Sequence, residues 1–227
     1  MTDLQNTTTP PLAYSECYVL PFFSFYNADN MAIMKTFKDK EFDLAIVDIP
    51  YGLGDKLTQG GTWASKYKNG DADWDIMPTP EYFNELFRIS KEQIIWGGNY
   101  ANLPPARCFL IWDKVAQMET MADCEFAWTS FDKNAKIFRH VRNTSEKRIH
   151  ITQKPIKLYE WILRNYAKDG FKILDTHLGS GSIAIAIDKA NTLDKKNLTL
   201  VGIELDPDYF RAAVERFKNH KRQCVLF

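Results

Sequence analysis

Cysteine is scarce in this chain of 227 residues, and what there is stands apart. Cys17, Cys108, Cys124 and Cys224 form no Cys-x-x-Cys pair, and the four histidines are not spaced as zinc ligands. No metal is expected, and the thiols are read as reduced, as in a cytosol. Net charge is also lacking: 29 basic residues balance 29 acidic ones, so no overall electrostatic signature of a nucleic-acid binder exists, although a local basic patch is enough to engage phosphates. No apolar run approaches the roughly 20 residues that span a bilayer, and no basic-then-apolar segment opens the chain, so neither membrane insertion nor export is expected. What remains, 45% hydrophobic and 26% charged, is an ordinary globular composition and long enough to bury a substantial core.

The stretch Phe42-Asp-Leu-Ala-Ile-Val-Asp-Ile-Pro-Tyr-Gly52 organises the rest. Its apolar run, Leu44 to Val47, suits a strand buried on both faces of a parallel sheet. At its end stand a carboxylate, Asp48, a proline, Pro50, a flat ring, Tyr51, and a glycine that frees the turn. Ligands of open α/β sheets lie beyond the carboxyl ends of such strands. There an acid beside an aromatic ring can hold a planar molecule that carries an amino group; equally, Asp48 can cap a turn and Tyr51 simply pack. Before it, residues 1–15 read as a flexible tail, Tyr18 to Tyr26 as a strand, and Asn30 to Lys38 as a helix, with Asp29 as its N-cap or as a ligand.

After Gly52, a loop over residues 53–76 is rich in glycine and aromatics and carries Lys66 and Lys68. Loops of this length inside a domain tend to be functional. A helix at about 80–91 and strands at 93–96, 108–112 and 125–131 follow. Between Lys133 and Arg148 lies the densest basic cluster, including Lys136, Arg139, Arg142, Lys147 and Arg148, which reads either as a solvated hairpin or as a grip for phosphates.

Phe171-Lys-Ile-Leu-Asp-Thr-His-Leu-Gly-Ser-Gly-Ser182 predicts a strand, a Gly179-Ser180-Gly181 turn and a helix from Ile183 to Ala190. A second strand, Leu198 to Glu204, ends in an acid and precedes a helix from Pro207 to Asn219. Strand, glycine turn, helix and a strand-terminal acid able to bind ribose hydroxyls make the general arrangement for adenosine-containing cofactors. A dinucleotide remains open, because Ala184 is an accepted third residue of that fingerprint. Against it, Asp175 puts a carboxylate where a pyrophosphate would be repelled, and the unit lies at the end of the chain.

Taken together these motifs resemble the S-adenosylmethionine-dependent amino-methyltransferases of DNA. Asp48-Ile49-Pro50-Tyr51 is similar to their Asp-Pro-Pro-Tyr motif, Asp175 to Ser182 to their Asp-x-Phe-x-Gly-x-Gly loop, and His150-Ile-Thr-Gln-Lys-Pro155 to their His-Pro-Thr-Gln-Lys-Pro element, in the order of the beta group. The resemblance implies an α/β Rossmann-like methyltransferase fold, with a mostly parallel central sheet, helices on both faces and a circularly permuted motif order. A single catalytic domain over 16–227 would carry the 53–76 loop and a short variable region at about 113–149 for target recognition. It further implies that Asp48 and the carbonyl of Ile49 hold the target amine while Tyr51 stacks on a base turned out of the duplex. Asp175, His177, Gly179, Ser180 and Gly181 would hold the methionine end of S-adenosylmethionine, Thr152 and Lys154 its carboxylate, Glu204 the ribose and Asp29 the adenine.

Aspartate at 48, where cytosine-N4 enzymes usually carry serine, favours adenine N6. Lys66, Lys68, Arg139, Arg142, Lys147 and Arg148 are the residues expected to meet DNA. Two departures stand out: Ile49 for the first proline, expected to loosen the turn slightly, and His177 for phenylalanine. With so short a variable region, the enzyme would read a short site, recruit the 53–76 loop, or dimerise. The implied protein is a cytoplasmic, prokaryotic or phage DNA adenine methyltransferase of restriction-modification type. A cytosine-N4 or RNA enzyme of the same fold, or an inactive cofactor-binding subunit, is the alternative.

Overall fold

Nine strands, numbered along the chain, form one sheet in the order β1-β2-β9-β8-β3-β4-β6-β5-β7. The structure is a computed structural model and describes residues 14–52, 75–115, 122–141, 149–150 and 152–224. The strands are β1 (Glu16–Leu20), β2 (Phe23–Asn27), β3 (Phe42–Asp48), β4 (Ser90–Trp96), β5 (Phe109–Asp113), β6 (Cys124–Thr129), β7 (Lys136–Arg139), β8 (Lys172–Asp175) and β9 (Thr199–Glu204). The five central ones, β2, β9, β8, β3 and β4, all run parallel. β6 turns back against β4 and β5, and β7 rejoins β5 in parallel.

Both faces of the sheet are covered. Helices α1 (Asn30–Met34) and α2 (Pro80–Ile89) contribute Ile33, Met34, Phe83 and Leu86 to one apolar layer. On the other face, α3 (Ile156–Tyr166), α4 (Ser182–Leu193) and α5 (Pro207–Cys224) contribute Leu158, Ile162, Ile187 and Phe217. β3 feeds both layers, Leu44 and Ile46 into the second, Ala45 and Val47 into the first, all essentially without solvent exposure. Its unbroken apolar run is what a central parallel strand requires. Among the described residues no helix is long and apolar enough to cross a membrane.

Several expectations are corrected. The segment Tyr18–Tyr26 is a hairpin of two antiparallel strands, closed where Leu20 pairs Phe23. Pro21, which has no N–H to give a ladder, stands at the turn. The helix expected over 30–38 stops at Met34, because the N–H groups of Thr36 and Phe37 bond three residues back and tighten the chain into turns. Of the segment after Lys133, Lys136–Arg139 form the parallel edge strand β7, and residues 142–148 lie outside the described residues. α3 had no counterpart among the expected elements, although Leu158, Tyr159, Ile162, Leu163 and Tyr166 recur at helical spacing.

α4 and α5 are fastened by a buried acid. Asp188 accepts from His220 Nε2 at 3.1 Å and Lys221 Nζ at 2.8 Å. One turn earlier on α5, Arg216 donates to the Ser180 carbonyl and to Ser182 Oγ, which ties the glycine turn to the same helix. Asp188→Ala is therefore expected to lower unfolding free energy by about 1–3 kcal/mol, read as a lower urea midpoint at an unchanged denaturant slope.

Candidate active site

The parallel register brings the carboxyl ends of five strands to one edge, where ligands of open α/β sheets bind. Asp48 ends β3, Asp175 ends β8, Glu204 ends β9, and Asp29 follows β2. Because β6 runs the opposite way, its first residues lie at this edge too, so Glu125 joins residues far from it in sequence. A cavity of about 640 Å³ extends from the Asp48–Tyr51 turn, including Ile49 and Pro50, to Gly179, Ser180 and Glu204. Asp29, Thr152, Lys154 and His177 lie along it. Asp175 and Gly181 are not among its lining residues, although their neighbours Thr176 and Ser180 are.

The turn after β3 is held at each residue. Ile49 replaces a proline, yet its N–H reaches the Trp96 carbonyl at 3.4 Å, a bond proline could not make, and its side chain is buried. The expected loosening is thus offset. The N–H groups of Tyr51 and Gly52 both donate to Asp75 Oδ1, at 2.9 and 3.1 Å. The Tyr51 ring stacks on Tyr100, centroids 5.1 Å apart, and passes so close to Gly97 that a Cβ there would lie 2.1 Å from Cε1. Only glycine leaves that space, and Gly97 also has a φ of +76°.

A chain of alternating charges is buried beneath Tyr51. Lys154 Nζ lies 2.5 Å from Asp48 Oδ2 and 3.1 Å from Glu125 Oε2, and the other oxygen of Glu125 meets Lys114 Nζ at 2.9 Å. The Tyr51 hydroxyl is 3.2 Å from Asp48 Oδ1 and 3.3 Å from Glu125 Oε2, with Lys154 Nζ 3.4 Å away. The two carboxylates are held differently. Burial pushes the Asp48 carboxyl up, with Lys154 pulling against it. At Glu125 burial has the same sense, but Lys154 and Lys114 override it and hold the group at about 2. Burial likewise works against the Lys154 charge, and the two carboxylates outweigh it and raise its pKa. All three Lys154 donors are taken up here, where the family resemblance had placed them on a cofactor carboxylate.

The other end of the cavity is built by the glycine turn. Gly179 and Gly181 take positive φ of 51° and 68°, which permits the tight entry into α4. Glu204 accepts the N–H of Gly179 at 2.7 Å and of Asp206 at 3.0 Å, the Leu205 N–H also acts on it, and the residue lines the cavity. Burial raises its pKa. Asp175 accepts the His177 N–H at 3.0 Å, and burial pushes its carboxyl up to about 8. Asp29 caps α1 through the N–H of Ala32 at 2.8 Å, as the N-cap reading expects, and also lines the cavity.

His177 is a satisfied histidine. The Asn30 amide donates to Nε2 at 3.2 Å, Nδ1 bonds Thr176 Oγ1 at 3.0 Å, and burial lowers the ring's pKa to about 4, so it is neutral at physiological pH. Thr152 bonds His150 Nδ1 through its own N–H and hydroxyl, at 3.3 and 3.1 Å. Tyr159, 6% exposed, lines the cavity as well.

Of the residues expected at DNA, Arg139 ends β7, exposed and paired with Asp113 Oδ2 at 3.1 Å. It shares the site's edge, but four strand spacings, about 19 Å, separate β7 from β3. Lys66, Lys68, Arg142, Lys147 and Arg148 lie outside the described residues. Sequence reasoning missed Lys114, Glu125 and Tyr100. The available signal was an acid opening an otherwise apolar strand, Cys-Glu-Phe-Ala-Trp-Thr. Among the described residues no cluster of histidine, cysteine and acid could hold a metal ion.

The chain is similar to known proteins in sequence and in fold. A type II methyltransferase of Streptococcus pneumoniae, M2.DpnII, is 27% identical over 168 residues, 74% of this chain, and the chain spans 56% of that relative's length. In structure, the M1.HpyAVI–SAM complex superposes with a TM-score of 0.54 at 22% identity, covering 86% of this chain and 99% of that one. The PvuII cytosine-N4-specific DNA methyltransferase gives 0.58 at 11% identity, covering 92% and 95%. Both likenesses establish the fold, a mixed α/β methyltransferase architecture. The DNA methylase family model matches residues 91–215, from within β4 to within α5, and with more than half of its length so matched the chain belongs to the N6/N4 DNA methylase family.

Proposed function

We propose that the chain transfers a methyl group from S-adenosylmethionine to the exocyclic N6 amine of adenine in DNA. The observation that carries this reading is the Asp48 carboxylate and Tyr51 ring at one end of a cavity whose other end is a glycine turn and Glu204. The residues fit the cofactor. About 640 Å³ is a volume typical of small-ligand sites. Glu204 lines the cavity with a carboxylate of the kind that takes ribose hydroxyls, and Asp175, next to the lining residue Thr176, is a buried acid of the kind that suits an ammonium group. When bound, S-adenosylmethionine supplies an electrophilic methyl on a sulfonium.

Asp48 accepts one N–H of the target amine, and the Ile49 carbonyl accepts the other. The nitrogen lone pair is then aimed rather than averaged, so catalysis is positioning with electrostatic help and needs no covalent intermediate. Once methylated, the amine held by Asp48 and Ile49 would give up one proton to water. Tyr51, backed by Tyr100, offers its free face to an extruded base. Phosphate contacts fall to Arg139 and the basic residues that follow β7. An aspartate at 48 supports adenine over cytosine.

Duplex DNA incubated with cofactor labelled in the methyl group should become labelled, and digestion should return N6-methyl-2′-deoxyadenosine. Asp48→Ala should lower the rate by about 10²–10³-fold. N4-methyl-2′-deoxycytidine among the digestion products would move the acceptor to cytosine, and labelling that survives the substitution would remove Asp48 from the reaction.

Asp175 gives a second test. Its carboxyl is pushed up to about 8 by burial, so below that pH the free protein carries it protonated, whereas a bound ammonium favours the ionised form. Binding of S-adenosylhomocysteine near pH 7 should therefore release about one proton, and affinity should climb between pH 6 and 7.5. Calorimetry in buffers of different ionisation enthalpy reads the release directly, and Asp175→Asn should abolish it. A wild-type heat independent of buffer would place the ammonium elsewhere.

A further inference from the structure

Asp48 does not present a free carboxylate to the cavity. Its Oδ2 is 2.5 Å from Lys154 and its Oδ1 is 3.2 Å from the Tyr51 hydroxyl. Both neighbours are donors, and both would compete with an incoming amine for the same negative charge. Tyr51 has one hydroxyl proton and two anionic acceptors at nearly equal distance, Asp48 Oδ1 and Glu125 Oε2, the latter at 3.3 Å. Lys154 is likewise shared, with Glu125 Oε2 at 3.1 Å. Glu125 in turn is fixed from behind by Lys114 at 2.9 Å.

We propose that Glu125, braced by Lys114, is a positioning residue that takes the Tyr51 hydroxyl and part of the Lys154 charge, so that Asp48 is released to accept the target amine. The inference rests on the methyltransferase reading of the site. When an amine approaches Asp48 Oδ1, the hydroxyl turns its hydrogen onto Glu125 and remains satisfied. Without Glu125, the same hydroxyl has only Asp48 to bond, and Lys154 rests on Asp48 alone, so the carboxylate becomes a weaker acceptor. The charges support this division of labour. Glu125, held at about 2 against burial, is an anion at any working pH, whereas burial raises the Asp48 carboxyl and leaves it the more basic of the two. Two lysines and two carboxylates leave the cluster neutral, which is why it can be buried at all. The cluster's charges act on His150, Asp175 and the Tyr159 hydroxyl, whereas the shifts of Asp48, Glu125 and Lys154 come chiefly from burial, from one another, from Lys114 and from Tyr51.

The test is a double-mutant cycle on methyl transfer to DNA. Glu125→Gln keeps the shape and removes the charge, and Glu125→Ala and Lys114→Met serve as second variants. Each Glu125 variant should lower kcat by about 10- to 100-fold, the range of one hydrogen bond to a charged group. KM for DNA and S-adenosylhomocysteine affinity should stay within about twofold, since neither is held by this residue on the reading given. In Glu125→Gln the acidic limb of the kcat profile should move to lower pH, because an anion that raised the Asp48 pKa has gone. In a Tyr51→Phe background the Glu125 effect should shrink, since no hydroxyl remains to be accepted.

A kcat within twofold of wild type, an unmoved acidic limb, or full additivity with Tyr51→Phe would overturn the proposal. Should wild-type protein transfer methyl to no nucleic acid, the methyltransferase reading fails by itself. The cluster is then read by the ¹⁵Nζ titration of Lys154, assigned by its loss in Lys154→Met. Its pKa should fall in Glu125→Gln, and an unchanged titration would remove Glu125 from the network.

Discussion

One ammonium, Lys154, sits between two buried carboxylates, and the geometry around it sets the candidate site. A lysine buried to 2% exposure with no partner would shed its proton, and a buried Asp48 with no cation would take one up. Each charge is tolerable only because the others are present. The pairing therefore fixes where the turn after β3 sits relative to β6 and to the segment leading into α3, three parts of the chain that share no local sequence. Tyr51 is then placed by what surrounds it: Asp75 on its backbone, Tyr100 on its ring and the bare Cα of Gly97 at its edge.

The sheet makes this meeting possible. Four of the five parallel strands, β2, β9, β8 and β3, deliver Asp29, Glu204, Asp175 and Asp48 in a row along one edge, each acid standing at or just after a strand end. The reversed β6 adds Glu125 from its first turn inward. On the proposed reading, the row divides the cavity by chemistry. Acids at the β2, β9 and β8 ends serve hydroxyl and amino groups of the cofactor, while Asp48, relieved by Glu125, serves the acceptor base. The same burial that makes these acids costly to hold is what makes them strong partners for a ligand, as the raised carboxyl of Asp175 illustrates.

Much of this was legible in the sequence because the informative residues are local. The apolar run of β3, the acid at its end and the glycine turn after β8 each fit within about a dozen positions, and the cavity gathers most of the residues they nominated. Glu125 and Lys114 were not legible, because an acid at a strand start has meaning only when an antiparallel strand carries it to the edge where parallel strands end. The Tyr18–Tyr26 hairpin was misread because its aromatic run is continuous across Pro21. α3 has helical apolar spacing but opens directly after Pro155 with no side-chain cap, so its start carries no Ser, Thr, Asp or Asn signal. Ile49 looked like a weakness in sequence, and it becomes intelligible only through a backbone N–H that finds Trp96.

The central claim is that the Asp48 edge modifies adenine in DNA. Single-molecule sequencing of genomic DNA from cells expressing the wild-type chain, beside cells expressing Asp48→Ala, addresses it without a chosen substrate. The account predicts N6-methyladenine at a recurring short sequence in the first and its absence in the second. Unmodified adenine in both, or modification confined to cytosine, would contradict it.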